Sequence, residues 1–425
     1  MVDVIVGRTI SDLEKYGKEG VIFIGKEYIK MENVLSLANK IYLDVNKPHL
    51  IFIAGKRGSG KSYTLSVLAE EISMLKKEYR EKISVLIFDT MGIFWTMKFP
   101  NSRDLDILYE WGLKPRGIKN VRIFVPVGFK EQYSKIGYPF DFTFSISPWK
   151  LREEDWIYML NLKPNSYVSI VFQRLIREMK KREPNFSLEE LYSYVEKKEI
   201  DPKIKEMILN YIDIADSWKI FEKEAHSLRF LLREGYVNIL DISFYSNIGG
   251  WSLKNTIIGL ISREIFMERL LYRKEEELKE IEEERSIFGE KFPLVWIIID
   301  EAHEVLPKDK ITAATDPLIQ IIREGRQPGI SLVLATQQPG KIIDDVLTQT
   351  DILIAHRLTN KEDIESLNKI MKNFTIEDID RYMNRVLPRK PGSALILDDK
   401  TERILPVQIR PKVSWHGGGE PTLLK

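Results

Sequence analysis

The chain alternates between short, wholly apolar runs and longer stretches with helical periodicity. The apolar runs read "HLIFIAG", "ISVLIFD", "VRIFVPV", "YVNILDIS", "LVWIIID", "ISLVLAT" and "DILIAH". The stretch after the first run carries apolar residues on one face of a predicted helix, at Leu65, Leu68, Ala69, Ile72 and Leu75. Strands that are apolar on both faces and separated by helices predict a mostly parallel sheet covered on both sides, an α/β fold.

Three regions depart from this alternation. Residues 1–48 contain short β-like pieces such as "GVIFIG" and predict a small antiparallel cap. Residues 148–234 contain charged, helix-period segments such as "YVSIVFQRLIREMKKR" and predict an α-helical insertion. We therefore expect an α/β core formed by residues 49–147 and 235–411, followed by a C-terminal tail at residues 412–425.

Composition narrows the class of protein. The chain has 425 residues, of which 44% are hydrophobic and 30% charged, as is typical of a soluble globular protein. Its 64 basic and 63 acidic residues nearly cancel, so any surface for a polyanion must be a local patch. The absence of cysteine excludes disulfides and thiolate metal sites. No apolar run has the length of a membrane helix and the start lacks a signal-peptide pattern, so we expect a cytoplasmic protein without membrane contact.

A glycine-rich segment, "GKRGSGKS", follows the first apolar run and precedes the amphipathic helix. This is the phosphate-loop pattern G-x-x-x-x-G-K-[ST] in its expected strand-loop-helix context, which favours it over a glycine-rich turn with a chance lysine. Backbone N–H groups of such a loop surround a β-phosphate, while Lys61 would reach the β- and γ-phosphates and Ser62 would bind Mg²⁺. We predict ATP contacts from Gly55, Lys56, Arg57, Gly58, Ser59, Gly60, Lys61, Ser62 and Tyr63.

An acidic pair, Asp300 and Glu301, ends the run "LVWIIID". Ligands of α/β sheets bind at the carboxyl ends of the strands, where this pair is expected. Asp300 would hold Mg²⁺ directly or through water, and Glu301 would act as the general base that takes a proton from an attacking water. The alternative is a pair that caps the next helix, but the phosphate loop favours the catalytic interpretation.

Two further polar residues end apolar strands. Gln337 closes "ISLVLAT" and would lie near the γ-phosphate or the attacking water, as a sensor, unless it merely ends the strand. Asp89 closes "ISVLIFD" and would reach the metal or the nucleotide, although an Asp that starts a turn explains it nearly as well.

Arg326 directly follows the predicted helix "DPLIQIIREG", and Arg323 lies one helical turn earlier, within it. An arginine that meets charge on the γ-phosphate accelerates hydrolysis by roughly 10³ to 10⁵. The end of that helix is expected to face away from its own phosphate loop, so we predict that Arg326 serves the site of a neighbouring copy in a ring. RNA and DNA helicases that contain "DEAH" supply such arginines from a second α/β lobe of the same chain. Too few residues follow His303 to form that second lobe. Arg323 is expected to form a supporting ion pair or an interface contact.

Taken in order, "GKRGSGKS", "FDTMGIF", "IIIDEAH", "REGRQPGISLVLATQQP", "DILIAHRLTNKEDI" and "IRPKVSWHGGGEP" resemble the HerA group of HerA/FtsK-type ATPases. The resemblance implies a RecA-like P-loop core, a homohexamer, ATP with Mg²⁺, and translocation of duplex DNA through a central channel. It also implies nucleotide and Mg²⁺ binding by Lys61 and Ser62, an acidic pair at Asp300 and Glu301, and a sensor at Gln337. Arg326 would be the arginine finger acting in trans, and the tail would pack on a neighbouring subunit.

The resemblance further implies work in DNA end processing with a NurA-type nuclease, although the β region before the phosphate loop is reduced compared with the barrel usual in this family. Candidates for DNA contacts are Lys130 to Lys135 and the pair Lys180 and Lys181, but solvated surface is the favoured interpretation of each. Two other functions remain open from the residues. One is an ATP-gated ring scaffold that regulates a nuclease or another effector, and the other is a conjugation- or packaging-type motor.

Overall fold

The computed structural model describes residues 3–31, 34–282, 292–367, 369–370 and 381–419. Within these ranges thirteen strands form one sheet. They are β1 (Val4–Val6), β2 (Val21–Met31), β3 (Val34–Asp44), β4 (Leu50–Ala54), β5 (Ile83–Asp89), β6 (Val121–Pro126), β7 (Phe142–Phe144), β8 (Val237–Asp241), β9 (Leu294–Ile299), β10 (Ile330–Thr336), β11 (Ile352–His356), β12 (Ser393–Asp398) and β13 (Arg403–Ile409).

The strand order is β1-β3-β2-β13-β12-β11-β4-β10-β9-β5-β8-β6-β7. All neighbours from β11 to β7 run parallel, whereas β12, β13 and β2 add antiparallel pairs on the other side. The predicted mostly parallel α/β sheet is therefore confirmed. Because the parallel strands share one direction, all their carboxyl ends lie at one edge of the sheet, and all their amino ends lie at the opposite edge.

Helices cover both faces of the sheet. They are α1 (Ile10–Tyr16), α2 (Lys61–Ser73), α3 (Lys77–Arg80), α4 (Leu105–Glu110), α5 (Lys130–Lys135), α6 (Glu153–Met159), α7 (Tyr167–Arg182), α8 (Leu188–Glu196), α9 (Pro202–Ser217), α10 (Leu228–Leu231), α11 (Gly250–Glu282), α12 (Ala302–Val305), α13 (Thr315–Glu324), α14 (Asp344–Gln349) and α15 (Lys361–Leu367). None of those in the described ranges combines the length and apolar character that a bilayer crossing demands.

The alternation of side chains along β4 shows how the two layers form. Ile51 and Ile53 point to one face and belong to the same buried cluster as Leu68 of α2. Phe52 points to the other face and belongs to the cluster that contains Ile258 of α11. Each buried aliphatic or aromatic side chain of this size stabilises the fold by roughly 1.5–3 kcal/mol. The strand that leads to the phosphate loop is thus held from both sides.

The predicted insertion contains α6 to α10, between β7 and β8. Local signals in the sequence explain its helices: Ser187 and Glu190 form a capping box at the start of α8, and Ser166 caps α7. The insertion is tied to α11 by an ion pair between Arg263 and Asp155, with Nη2 and Oδ2 2.7 Å apart. Its division from the core as a separate domain stays a prediction.

The N-terminal β region is continuous with the core sheet. β2 and β3 pair antiparallel, as expected for residues 1–48, but β2 also pairs with β13. The sheet therefore runs without interruption from β1 to β7. The sequence pattern did not reveal this pairing, because it joins segments at opposite ends of the chain. A domain boundary near residue 48 stays a prediction.

The C-terminal tail, residues 412–425, was expected to pack on a neighbouring subunit. Its described part packs within its own chain: the backbone N–H of Lys412 donates to the Tyr63 hydroxyl at 2.6 Å, and Glu70 of α2 accepts further hydrogen bonds from this segment. Residues 420–425 lie outside the described residues. A contact of the tail with a neighbour stays a prediction, but the start of the tail is already committed to α2.

Candidate active site

The phosphate loop joins β4 to α2 and is fastened to two neighbouring segments. Within the loop, the Ser59 hydroxyl donates to the carbonyl of Lys56 at 2.7 Å. Lys56 N donates to Arg357 O at 2.9 Å, and Gly392 N donates to Ser59 O at 3.0 Å. Gly60 has φ of 113°, and a Cβ there would lie 3.0 Å from Gly392 N. The loop therefore needs glycine at this position, for its conformation and for the close approach of the next segment.

His356, at the carboxyl end of β11, packs beside the phosphate loop. The sequence patterns did not single out this residue. It is fully buried, donates from Nδ1 to Ser393 O at 3.1 Å, and places Nε2 2.9 Å from Thr64 Oγ1. Burial lowers the pKa of His356 to about 4, so the ring is neutral at physiological pH. The only sequence signal is a histidine ending an apolar strand that shares the edge of the phosphate loop.

The acidic strand end meets the loop directly. The Ser62 hydroxyl donates to Asp300 Oδ2 at 2.5 Å, and Lys61 Nζ donates to Lys56 O at 3.2 Å. Burial raises the pKa of Asp300, against the effect of the Ser62 hydrogen bond. Burial also lowers the pKa of Lys61, against the charges of Asp300 and Glu301. Each charge is poorly solvated, so each is set to interact with an ion of opposite sign.

Glu301 lies beside Asp300 in a left-handed conformation, with φ of 53° and ψ of 44°. Such a conformation costs a non-glycine residue roughly 1–3 kcal/mol and is concentrated at functional sites. Gln337 Nε2 donates to Glu301 Oε1 in a short hydrogen bond. The other oxygen, Oε2, is buried and accepts no hydrogen bond from any part of the chain that the structure describes. The structure thus brings three predicted residues, Asp300, Glu301 and Gln337, together.

His303 lies on the outer side of this group. Its Nδ1 is 3.0 Å from Thr336 Oγ1 and 3.5 Å from Glu301 Oε2, and its Nε2 is 3.4 Å from Gln338 Nε2. Burial lowers the pKa of His303, so the ring is neutral near pH 7. These contacts place His303 as a local support that joins the acidic segment to the end of β10.

Oxygen donors suited to Mg²⁺ are present at this edge. Ser62 and Asp300 offer a hydroxyl and a carboxylate that already touch each other. Among the described residues, no group of three or more His, Cys, Asp or Glu side chains could enclose a metal. A magnesium ion that takes only one or two protein ligands, with water and phosphate oxygens completing its shell, fits this donor set. Metal binding by Ser62 and Asp300 stays a prediction.

Asp89 builds a turn, as the simpler interpretation of its position expected. Its Oδ1 accepts from the backbone N–H groups of Met91, Gly92 and Ile93, and its Oδ2 accepts from that of Phe94. Burial and the nearby Asp241 raise the pKa of Asp89 to about 7, while these donors oppose the shift. Both oxygens are occupied, so a direct role at the metal is not favoured.

Arg326 lies far from this group. It sits in the turn between α13 and β10, at the amino edge of the sheet, while the phosphate loop lies at the carboxyl edge. The five residues of β4 alone separate the two edges by about 17 Å, at roughly 3.3 Å per residue. Both Arg326 and Arg323 have side chains that are 58% exposed. The structure therefore does not bring Arg326 to its own phosphate loop.

Comparison with known families agrees with this geometry. The family described as "Helicase HerA, central domain" matches residues 22–265, which is more than half of the chain. The chain belongs to the HerA helicase family. It is 25% identical to the "DNA double-strand break repair helicase HerA" of Sulfurisphaera tokodaii, over 98% of this chain and 74% of that protein. It is 26% identical to the protein of the same name from Sulfolobus acidocaldarius, over 80% of this chain but only 59% of that relative.

Two solved structures share the fold of this HerA-family chain. VirB4 of Thermoanaerobacter pseudethanolicus aligns with a TM-score of 0.54 at 14% identity, covering 93% of this chain and 98% of VirB4. The bacterial conjugative coupling protein TrwB aligns with a TM-score of 0.51 at 12% identity, covering 88% of each chain. At this identity the likeness shows the fold alone. The predicted HerA membership and RecA-like P-loop core are confirmed.

Proposed function

We propose that this HerA-family protein is a Mg²⁺-dependent ATPase that translocates along or unwinds duplex DNA as a homohexameric ring. The observation that carries the proposal is the convergence of Lys61, Ser62, Asp300, Glu301 and Gln337 at one edge of the sheet. These residues follow three adjacent strands, β4, β10 and β9, and meet at the loop that would surround the phosphates. The names of the relatives, which refer to DNA double-strand break repair, support DNA as the polymer.

ATP would bind with its β-phosphate inside residues 55–62. The loop and the first turn of α2 direct backbone N–H groups at this position, and the positive end of α2 adds to them. Lys61 would leave the carbonyl of Lys56 to contact the β- and γ-phosphates. Ser62 and Asp300 would hold Mg²⁺, which supplies positive charge against the charge that develops on the phosphates.

Glu301 would accept the proton of the attacking water. Its buried Oε2 has no hydrogen-bond donor among the described residues, while Oε1 is held by Gln337. The left-handed backbone turns this side chain away from the strand direction and toward Gln337. A water that donates to Oε2 would therefore be oriented by one oxygen while the amide fixes the other. Release of Gln337 after hydrolysis would signal the change of nucleotide state to β10.

Arg326 would act on the γ-phosphate of a neighbouring subunit. Its position at the amino edge, across the sheet from its own phosphate loop, excludes a short reach within the chain. Its side chain is exposed and so is able to contact another molecule. An arginine supplied in trans leaves an isolated subunit with slow hydrolysis, because the transition-state charge then lacks its partner.

DNA would run through the ring and contact basic side chains without sequence readout. Lys130 to Lys135 form the short helix α5, whose two lysines are exposed. Of the other candidate pair, Lys180 and Lys181, Lys180 donates to Leu151 O at 2.6 Å and burial lowers its pKa. Lys180 is therefore engaged in holding α7 to the segment before α6, while Lys181 is exposed like Lys130 and Lys135. A NurA-type nuclease as partner remains part of the proposal.

The test combines assembly with DNA dependence. We expect ATP and Mg²⁺ to shift the protein to a hexamer in size-exclusion chromatography with light scattering. We also expect duplex DNA at low salt to raise ATP turnover, and added salt to remove the effect as counterions compete for phosphate contacts. Turnover that ignores duplex DNA at low salt would reject translocation and leave the ATP-gated scaffold as the better explanation.

A further inference from the structure

We infer that Asp351 and Arg269 are positioning residues that hold the turn carrying Arg326 so that this arginine reaches a neighbouring site. The inference rests on the proposed function, in which Arg326 acts in trans. Neither residue touches the nucleotide site of its own chain, because both lie at or behind the amino edge of the sheet. Their effect would therefore appear in the hydrolysis carried out by the next subunit.

The side chain of Asp351 is held in place by contacts other than the one with Arg326. It immediately precedes β11, and its side chain is only 3% exposed. Oδ1 accepts from Leu50 N at 2.7 Å, and Oδ2 lies 2.8 Å from His49 Nδ1. His49 is itself buried, with Nε2 3.6 Å from Asp44 Oδ2. The carboxylate thus has a set orientation, with Oδ2 directed toward the surface where Arg326 lies.

Arg326 approaches this carboxylate without being locked to it. Its Nη2 is 3.6 Å from Asp351 Oδ2, which is longer than a hydrogen bond. The pair therefore restricts where the guanidinium lies while leaving its N–H donors free to turn toward a phosphate. This contact holds Arg326 close to the geometry that catalysis needs. Because the pair is weak, it opposes the movement of Arg326 toward a phosphate only slightly.

Arg269 holds the main chain of the same turn. This residue of α11 is almost completely buried, and its Nε donates to Pro328 O at 2.6 Å while Nη1 donates to Phe292 O at 2.7 Å. Gly329 has φ of 86°, and a Cβ there would lie 2.9 Å from Arg269 Nη2. The backbone after Arg326 is therefore packed directly against a buried guanidinium, which fixes the base of the exposed side chain.

Arg323 provides an internal comparison. It is as exposed as Arg326, but its partner Asp345 is 31% exposed, whereas Asp351 is 3% exposed. Arg323 Nη2 lies 2.6 Å from Asp345 Oδ1, in a closed pair between α13 and α14. Of the two arginines, only Arg326 has an anchor that is itself rigidly held, and only Arg326 keeps a loose contact.

The first test compares Asp351→Asn with Asp345→Asn, each in the full-length ring. Asp351→Asn keeps the shape of the side chain but removes the charge that attracts Arg326. We expect kcat for ATP to fall by about 10- to 100-fold with KM for ATP unchanged, since Arg326 would meet charge that develops on the γ-phosphate in the transition state. Asp345→Asn should leave both constants unchanged. Equal losses in the two variants, or a raised KM in Asp351→Asn, would overturn the inference.

The second test uses mixed rings and separates this inference from the proposed function. Arg326→Ala mixed with Glu301→Gln should recover turnover, because each supplies what the other lacks; failure of this pair would reject the trans arginine itself. Where that pair recovers, Asp351→Asn should recover turnover with Glu301→Gln and fail to do so with Arg326→Ala. The reverse grouping would place the Asp351 defect in its own site and overturn the inference alone.

Arg269→Lys extends the mixing test to the main-chain contact. It keeps the buried charge but cannot reach both carbonyls, so we expect the variant to fall in the same complementation group as Asp351→Asn. Recovery of turnover in rings mixed with Arg326→Ala would show that Arg269 does not position Arg326. Because a buried arginine also supports folding, the melting temperature of each variant is measured in parallel. Lost stability alone would not make a variant recover turnover with Glu301→Gln and fail to recover it with Arg326→Ala.

Discussion

Replacing Glu70 by glutamine should release the C-terminal tail from the helix that follows the phosphate loop. Glu70 is fully buried on α2 and accepts from Arg410 Nη2 at 3.0 Å, Val413 N at 3.2 Å and Ser414 N at 3.0 Å, and also from the Ser414 hydroxyl. Arg410 is equally buried, so the ion pair has no access to solvent. Glu70→Gln keeps the shape of the side chain while it removes the charge and half of the acceptor capacity.

The magnitude follows from what remains after the change. Breaking a buried ion pair by removing one partner costs about 3–5 kcal/mol, because the other charge is left uncompensated. Arg410 keeps a second partner, since its Nε lies 2.7 Å from Glu71 Oε1, so the lower end applies. The amide nitrogen of glutamine would also face a backbone N–H group, from which it cannot accept a hydrogen bond. We therefore expect a loss of about 3 kcal/mol in the free energy of unfolding of the unit that contains α2.

Thermal unfolding followed by circular dichroism, with urea unfolding as a second measurement, gives the size of this loss. A double-mutant cycle with Arg410→Met isolates the pair, and the double variant should be less destabilised than the sum of the single variants. Limited proteolysis should cut the tail near Trp415 sooner in Glu70→Gln than in the wild-type protein. A loss below about 1 kcal/mol, or strict additivity in the cycle, would refute the assignment of Glu70 as the anchor of the tail.

Two further predictions concern the site and its supports. Glu301→Gln should keep ATP affinity while turnover falls by about 10² to 10⁴, measured by nucleotide binding and single-turnover hydrolysis, and normal turnover would reject the general base. For His49, burial lowers the pKa, but Asp351 and Asp44 outweigh it and the net pKa is raised. Its contribution to stability is then complete below the unfolded pKa of about 6.5 and is lost as pH rises through the higher folded value. His49→Asn should make the melting temperature of the protein less dependent on pH across this range. An unchanged dependence on pH would contradict the role of His49.

The sequence predicted those parts of the site that depend on neighbours along the chain. The phosphate loop is one contiguous segment, and the acidic pair directly follows its strand, so spacing and periodicity were enough to find both. Contacts between distant segments left no such signal. His356 meets Thr64, and Asp351 meets His49, only because β11 and β4 are adjacent strands. Hydrophobic patterning shows which residues are buried but not which strands are neighbours.

The tail illustrates the same limit. An apolar and basic segment such as "IRPKVSW" predicts burial against some partner, and the pattern does not say whether that partner is the same chain or another. The structure places Arg410 against Glu70 of its own α2. The left-handed backbone of Glu301 was equally hidden, because glutamate seldom adopts this conformation and no local residue type announces it.

The arrangement of β4 and β11 bears on how copies of the chain would assemble. β4 carries His49 at its amino end and the phosphate loop at its carboxyl end, and β11 carries Asp351 and His356 at the same two ends. If Arg326 serves another copy, the amino edge of one sheet must face the carboxyl edge of the next. A two-fold dimer would complete both sites only if a single surface patch held both Arg326 and the phosphate loop, whereas the two lie at opposite edges of the sheet. A head-to-tail contact repeats until it closes, so a ring in which every subunit gives and receives an arginine is the closed assembly that these edges favour.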